Sequence, residues 1–208
     1  MPLDKISFDR RSLLAAACTL AGAPAFAQGA GPSSQRSPAQ GSAQVSSRIS
    51  NSAYAFTFDG LEGEPVRLAD HAGRVLLVVN TASTCGFTPQ YADLQTMWER
   101  YRDRGLVVVG VPSDDFNQER GTAKEIAEVC QGQYGVSFPM TGKQVVRGAG
   151  AHPFYRWAAA QRPADIPTWN FHKFVIGRTG LIAGAFPARI RPVDPRIVAL
   201  VETQLAGV

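Results

Sequence analysis

Val75-Leu-Leu-Val-Val79 is an uninterrupted apolar run of strand length, rich in β-branched residues, and a helix start follows it closely. A run without polar alternation suits a strand covered on both faces, so it reads as a buried strand inside a layered sheet. The chain then turns through Asn80-Thr-Ala-Ser-Thr to Cys85. Thr88 is placed to cap a helix and Pro89 to open it, because the first helical position needs no N–H. That helix, expected over 88–104, carries Tyr91, Leu94, Trp98 and Tyr101 on one stripe. Cys85 therefore sits between a strand's carboxyl end and a helix's amino end. Unpaired N–H groups and the positive end of the helix dipole favour the thiolate there. The competing reading is a small core residue, since free cysteine is among the most buried residue types.

The first 27 residues read as a cleavable export signal. Arg10-Arg11 precedes the short apolar segment Ser12–Ala21, and Ala25-Phe26-Ala27 closes it with an A-x-A pattern. Paired arginines before leucines fit the twin-arginine route of bacteria, which places the mature protein in the periplasm. A lipoprotein signal using Cys18 is the alternative. Residues 28–51 are mainly Gly, Ala, Ser, Gln and Pro, too poor in large apolar side chains to offset their ordering entropy, and read as a flexible linker. The folded domain then runs over 52–208, close to the usual domain size. Losing a signal that holds Lys5, Arg10 and Arg11 against Asp4 and Asp9 lowers the formal charge of +4 by one. The densest basic patch, Arg189, Arg191 and Arg196, lacks the interleaved aromatics of a single-strand binder. Neither nucleic acid nor, after cleavage, a membrane is an expected partner.

Within the domain, Tyr54–Phe58 alternates and reads as a strand, with Val66 and Leu68 in a short partner. Leu106–Val111 is a second buried strand. Thr122-Ala-Lys-Glu125 is a capping box opening a helix to Tyr134, with Ile126, Val129, Cys130 and Tyr134 on one face. Phe138–Met140 is extended, and a brief helix starts at Pro153. Phe171–Ile176 and Leu181–Phe186 form a hairpin through Gly177–Gly180. Asp194-Pro195 starts a last helix with Ile197, Leu200, Val201 and Leu205 inward. This order implies an α/β fold: a mixed central sheet flanked by helices, of thioredoxin-like architecture.

His71, His152 and His172 lie far apart without metal-ligand spacing and read as surface or packing histidines. No glycine-rich phosphate loop and no serine-centred nucleophile elbow are present. Cys85 is followed by Gly86-Phe87-Thr88, so the C-x-x-C of simple disulfide exchange is missing. In an oxidising compartment the two mature cysteines, Cys85 and Cys130, also fit a plain structural disulfide.

Three segments combine: Asn80–Tyr91; Val111-Pro-Ser-Asp-Asp-Phe-Asn-Gln-Glu-Arg-Gly121 with Tyr134–Met140; and Trp169-Asn-Phe-His-Lys-Phe174. In this order and spacing they resemble the glutathione peroxidase family in its cysteine form, over nearly all of residues 52–205. The resemblance implies a peroxidatic Cys85 with Trp169 and Asn170 as indole and amide donors. The chemistry is consistent: a thiolate attacking a peroxide needs N–H donors around the sulfur and the leaving oxygen. Left to themselves, Trp169 reads as a core aromatic and Asn170 as a turn residue.

The family's catalytic glutamine falls on Asp115, and the segment between Phe116 and Gln118-Glu119 is one residue short. A carboxylate donates no hydrogen bond and repels a thiolate. Asp115 is turned away, or protonated, or its place is taken by backbone and water. Cys130 corresponds to the region of the resolving cysteine in thioredoxin-using members; its other reading is core filling. Condensation with a Cys85 sulfenic acid would join the two after local unwinding. Lys173 is either a hairpin surface lysine or a charge favouring the thiolate. The short Trp157–Trp169 connection resembles that of monomeric relatives.

The sequence thus points to an exported thiol peroxidase for hydrogen peroxide or organic hydroperoxides. It needs no prosthetic cofactor and draws on a thioredoxin-like protein or glutathione as thiol co-substrate. The rivals are a thiol–disulfide oxidoreductase and a non-catalytic thioredoxin-like binding module.

Overall fold

A computed structural model describes residues 51–207. The export segment expected over 1–27, Cys18, and the linker expected over 28–51 lie outside the described residues, apart from Asn51. The apolar run forms β3 (Val75–Thr81), which with β4 (Leu106–Pro112), β5 (Lys173–Ile176) and β6 (Ile182–Phe186) makes one sheet in the order β4-β3-β5-β6. β3 runs parallel to β4 and antiparallel to β5, so the sheet is mixed. Every residue of β3 and β4 is buried. Successive side chains of a strand point to opposite faces, and the packing follows that rule. Leu77 and Val79 meet α1 (Gln90–Tyr101) and α4 (Pro195–Ala206) on one face. Leu76 and Val78 meet α3 (Pro153–Gln161) on the other. Burying each such side chain contributes roughly 1.5–3 kcal/mol.

The expected strand over Tyr54–Phe58 is only partly formed. Ala53–Ala55 is a 3₁₀ turn, and β1 is Thr57–Phe58, paired with β2 (Val66–Arg67). Tertiary hydrogen bonds outweigh the alternating pattern here: Ala53 N–H donates to Gly180 O, and the Tyr54 hydroxyl reaches Arg74 O at 2.8 Å. Leu68 falls in a second 3₁₀ turn, Leu68–His71. The helix expected over 88–104 is α1, followed by a 3₁₀ turn at Arg102–Arg104 and closed by Gly105 in the left-handed region at φ 103°. Met97 is buried on its inner stripe, and Trp98 is half-buried.

The capping box at Thr122 is intact, yet α2 covers only Ala123–Ala127 before the chain widens into a π-helical turn, Glu128–Gln133. Gly132 inside that turn and Gly135 (φ 63°) after it weaken the α form. Phe138–Met140 bridges to β4 at Gly110, where an added side chain would meet the Met140 sulfur and force that side chain to move. Asp194 caps α4 by accepting the Arg196 amide at 3.0 Å. Among the described residues no helix is long and apolar enough to cross a membrane.

Candidate active site

Cys85 lies in the turn between β3 and α1, buried, with only 6% of its surface exposed. Thr88 does not cap α1. Its hydroxyl donates to Ala82 O at 2.9 Å and accepts the Cys85 amide at 3.0 Å, tying the loop across its neck. Pro89 occupies the cap position, and the amides of Gln90, Tyr91 and Ala92 bond to the carbonyls of Phe87, Thr88 and Pro89. The leading amides expected to be unpaired are thus largely consumed by the turn. One N–H still reaches the sulfur: Phe87 donates to Cys85 Sγ at 3.4 Å, an interaction that strengthens as charge develops there.

A second wall is residues 169–172, held by the end of β3. Asn80 donates from Nδ2 to Trp169 O (3.1 Å) and accepts the His172 amide at Oδ1 (3.0 Å). Between them Phe171 takes a left-handed φ of 63° and packs edge-on against Tyr91. This kink leaves Trp169 40% exposed and buries Asn170 completely. Phe116 packs against the Trp169 ring at 5.5 Å, and the Arg147 guanidinium lies 4.7 Å over Phe116.

Three segments converge beside the thiol through one residue the sequence reading left unassigned. The main-chain oxygen of Gln118 accepts both the amide (3.1 Å) and the hydroxyl (2.8 Å) of Thr84, the residue before Cys85. Its side-chain Oε1 accepts from Asn170 Nδ2 at 3.0 Å. The sequence signal was there: an amide three positions beyond Asp115, brought nearer by the one-residue shortening. Asp115 itself is engaged elsewhere. Its Oδ2 accepts the amides of Val146 (2.7 Å) and Arg147 (3.1 Å), so of the three alternatives the carboxylate is the one turned into the neighbouring loop.

Glu119 is also buried. Oε2 accepts from Ser83 Oγ at 3.0 Å while Oε1 has no hydrogen-bond partner, and burial pushes its carboxyl above the ordinary range, against the Ser83 hydrogen bonds.

Cys130 is completely buried on the π turn, its Sγ 3.9 Å from Ala127 O. Burial pushes this thiol up to about 11. Both described cysteines are free thiols, so the structural-disulfide reading is not the state seen here.

Lys173 is not a surface lysine. It is wholly buried, donating to Ala188 O (3.2 Å) and Ile190 O (2.5 Å), and burial lowers it to about 7, against the attraction of Asp93. Its alternation along β5 aims it inward, and its neighbours Phe171, Phe174 and Val175 were a signal that the hairpin is covered on both sides. His172 packs beside Phe174 at 4.8 Å, and burial pushes it down to about 4. His152 accepts the Phe154 amide at the start of α3 and stacks on Phe58. Among the described residues no group of His, Cys, Asp or Glu is arranged to hold a metal.

The family model for glutathione peroxidase matches residues 53–159. A hydroperoxy fatty acid reductase of Synechocystis is 40% identical over 158 residues, covering 71% of this chain and 94% of the relative. The crystal structure of Trgpx in apo form superposes with a TM-score of 0.61 at 31% identity, covering 74% of this chain and 96% of that one. A thioredoxin-family thiol:disulfide interchange protein from Chlorobium tepidum shares the fold, with a TM-score of 0.53 at 20% identity over 72% of this chain and 92% of that one.

Proposed function

The chain belongs to the glutathione peroxidase family and is a thiol peroxidase of thioredoxin-like fold; on that premise we propose the following division of labour. Cys85 is the peroxidatic nucleophile, and Trp169 and Asn170 are the donors beside it. The thiolate attacks the terminal peroxide oxygen. The O–O bond breaks, Cys85 becomes a sulfenic acid, and the departing alkoxide or hydroxide takes up a proton as alcohol or water. Cys130 then attacks the sulfenic sulfur, forming a Cys85–Cys130 disulfide and releasing water. A dithiol reductant returns both thiols.

The observation that carries this reading is the run of hydrogen bonds from Thr84 through Gln118 to Asn170. It ties the residue before the thiol to the amide of Asn170. Donors held in this way need no reorganisation when charge develops on the leaving oxygen. Asp115, bound to the 146–147 amides, takes no part in the donor set.

For the reductant we favour a thioredoxin-like protein over glutathione, because the described chain offers a second thiol for an internal disulfide. For the substrate we keep hydrogen peroxide and organic hydroperoxides. We place the mature protein in the periplasm as a monomer, exported through residues 1–27. The test treats reduced protein with one equivalent of peroxide and maps the thiols by mass spectrometry. Oxidised Cys85 and a Cys85–Cys130 bond are expected. An untouched Cys85 refutes the peroxidase assignment, and an oxidised Cys85 without the bond refutes only the resolving step.

A further inference from the structure

Asp115 stands where the family keeps an amide, yet an amide is present at the site three residues on. Gln118 is anchored at two points: its main-chain oxygen by Thr84, the residue preceding Cys85, and its Oε1 by Asn170. The turn that presents it is locally specified. Asn117 takes the left-handed φ of 58°, and its amide bonds to Asp114 O at 2.9 Å. Asp114 Oδ1 in turn accepts the Glu119 amide at 3.0 Å. The missing residue before Gln118 and the diverted Asp115 are then two halves of one rearrangement.

Asn170 is fully buried, and its Oδ1 has no partner. The two ends of a primary amide have opposite chemistry, one accepting and one donating. An unrestrained Asn170 is free to turn either end to the reacting centre. In the structure Gln118 presents its acceptor Oε1 and so selects the NH2 end of Asn170. It bonds the NH2 end and repels the carbonyl end, so one Asn170 N–H is held by Gln118 and the other stays available as a donor.

We propose that Gln118 is a positioning residue for peroxide reduction, taking over through Asn170 the amide function that Asp115 has lost. This rests on Cys85 being the peroxidatic thiol.

The test measures the single-turnover rate constant for Cys85 oxidation by hydrogen peroxide in a Cys130→Ser background, where no internal disulfide forms. Gln118→Met should lower it by up to about 100-fold, the cost of misplacing a catalytic group by about 1 Å. Gln118→Glu, which keeps an acceptor for Asn170, should recover part of the loss near neutral pH and shift the pH profile of the rate. The decisive comparison is the double variant Gln118→Met/Asn170→Ala. If Gln118 acts through Asn170, it is no slower than Asn170→Ala alone, because residues working as a unit are non-additive. Two losses that multiply overturn the proposal. A wild-type rate in Gln118→Met overturns it too, as does an Asp115→Asn variant that loses as much. Should Gln118→Met fail to fold, Gln118→Ala carries the same cycle. An unreactive Cys85 in the parent protein is a different failure, that of the peroxidase assignment itself.

Discussion

The side-chain nitrogen of Lys173, wholly buried, donates to the main-chain oxygen of Ile190 at 2.5 Å. Ala188 O is its second acceptor, and Gln90 at the start of α1 bonds that same oxygen. Lys173 thus clips the 187–194 loop to the sheet beside the helix that follows Cys85. A neutral amine has two N–H groups, enough for both carbonyls. Burial accordingly lowers the group from 10.5 to about 7.

A pH dependence of stability follows from that lowering. Above pH 10.5 both folded and unfolded chains hold a neutral Lys173, and no penalty applies. As pH falls from 10.5 to about 7 the unfolded chain takes up a proton that the folded chain refuses, so stability drops. Below about 7 the penalty is constant, on the order of 5 kcal/mol. Lys173→Met removes the titration but leaves two buried carbonyls short of a donor, at about 1–3 kcal/mol each. Urea unfolding at pH 7 should find the two proteins of similar stability. At pH 10 the wild type should be the more stable by several kcal/mol. A difference that stays flat with pH refutes the buried, uncharged lysine.

How much of this was legible beforehand depended on how local the determinant is. The β3 run, the capping box at Thr122 and the Asp194-Pro195 helix start are local signals, and each produced its element. Thr88 and Lys173 were misread for the opposite reason. The Thr88 hydroxyl has a competing partner across the loop in Ala82 O, and the burial of Lys173 depends on a loop fifteen or more residues away in sequence. Gln118 was overlooked because a family pattern directs attention to position 115. A one-residue shortening moves the amide without moving the motif around it.

Cys130 gives a labelling prediction. Its thiol is wholly buried and raised from 9.0 to about 11, which reduces the thiolate fraction at pH 8 roughly 100-fold. Loss of access lowers reactivity further. In a Cys85→Ser variant, iodoacetamide should modify Cys130 at least 100-fold more slowly in the native protein than in urea. In the wild type, disulfide formation after Cys85 oxidation should follow a first-order rate independent of peroxide concentration. That rate would report opening of the Glu128–Gln133 turn. Native labelling at the rate of a free thiol would show that the turn does not shelter Cys130.

Asn80 offers a sharper test of how the two walls are held together. Its side chain satisfies a donor and an acceptor of the same segment, His172 N–H and Trp169 O, from the penultimate residue of β3. Asn80→Ala leaves both without that partner and frees residues 169–172 to shift. Misplacing catalytic groups by about 1 Å can cost on the order of 100-fold in rate. Asn80→Asp keeps the acceptor for His172 but replaces the donor to Trp169 O with a second oxygen, so it should rescue little. The expected result is a large fall in peroxide reduction for both variants, with the unfolding free energy lowered by about 1–3 kcal/mol. The discriminating measurement is Trp169 itself, 40% exposed in the wild type. In Trp98→Phe/Trp157→Phe protein, which leaves Trp169 as the one tryptophan among the described residues, its fluorescence should shift and become more readily quenched on replacing Asn80. If activity falls while Trp169 emission and quenching stay unchanged, Asn80 works by some route other than fixing the Trp169–Asn170 wall.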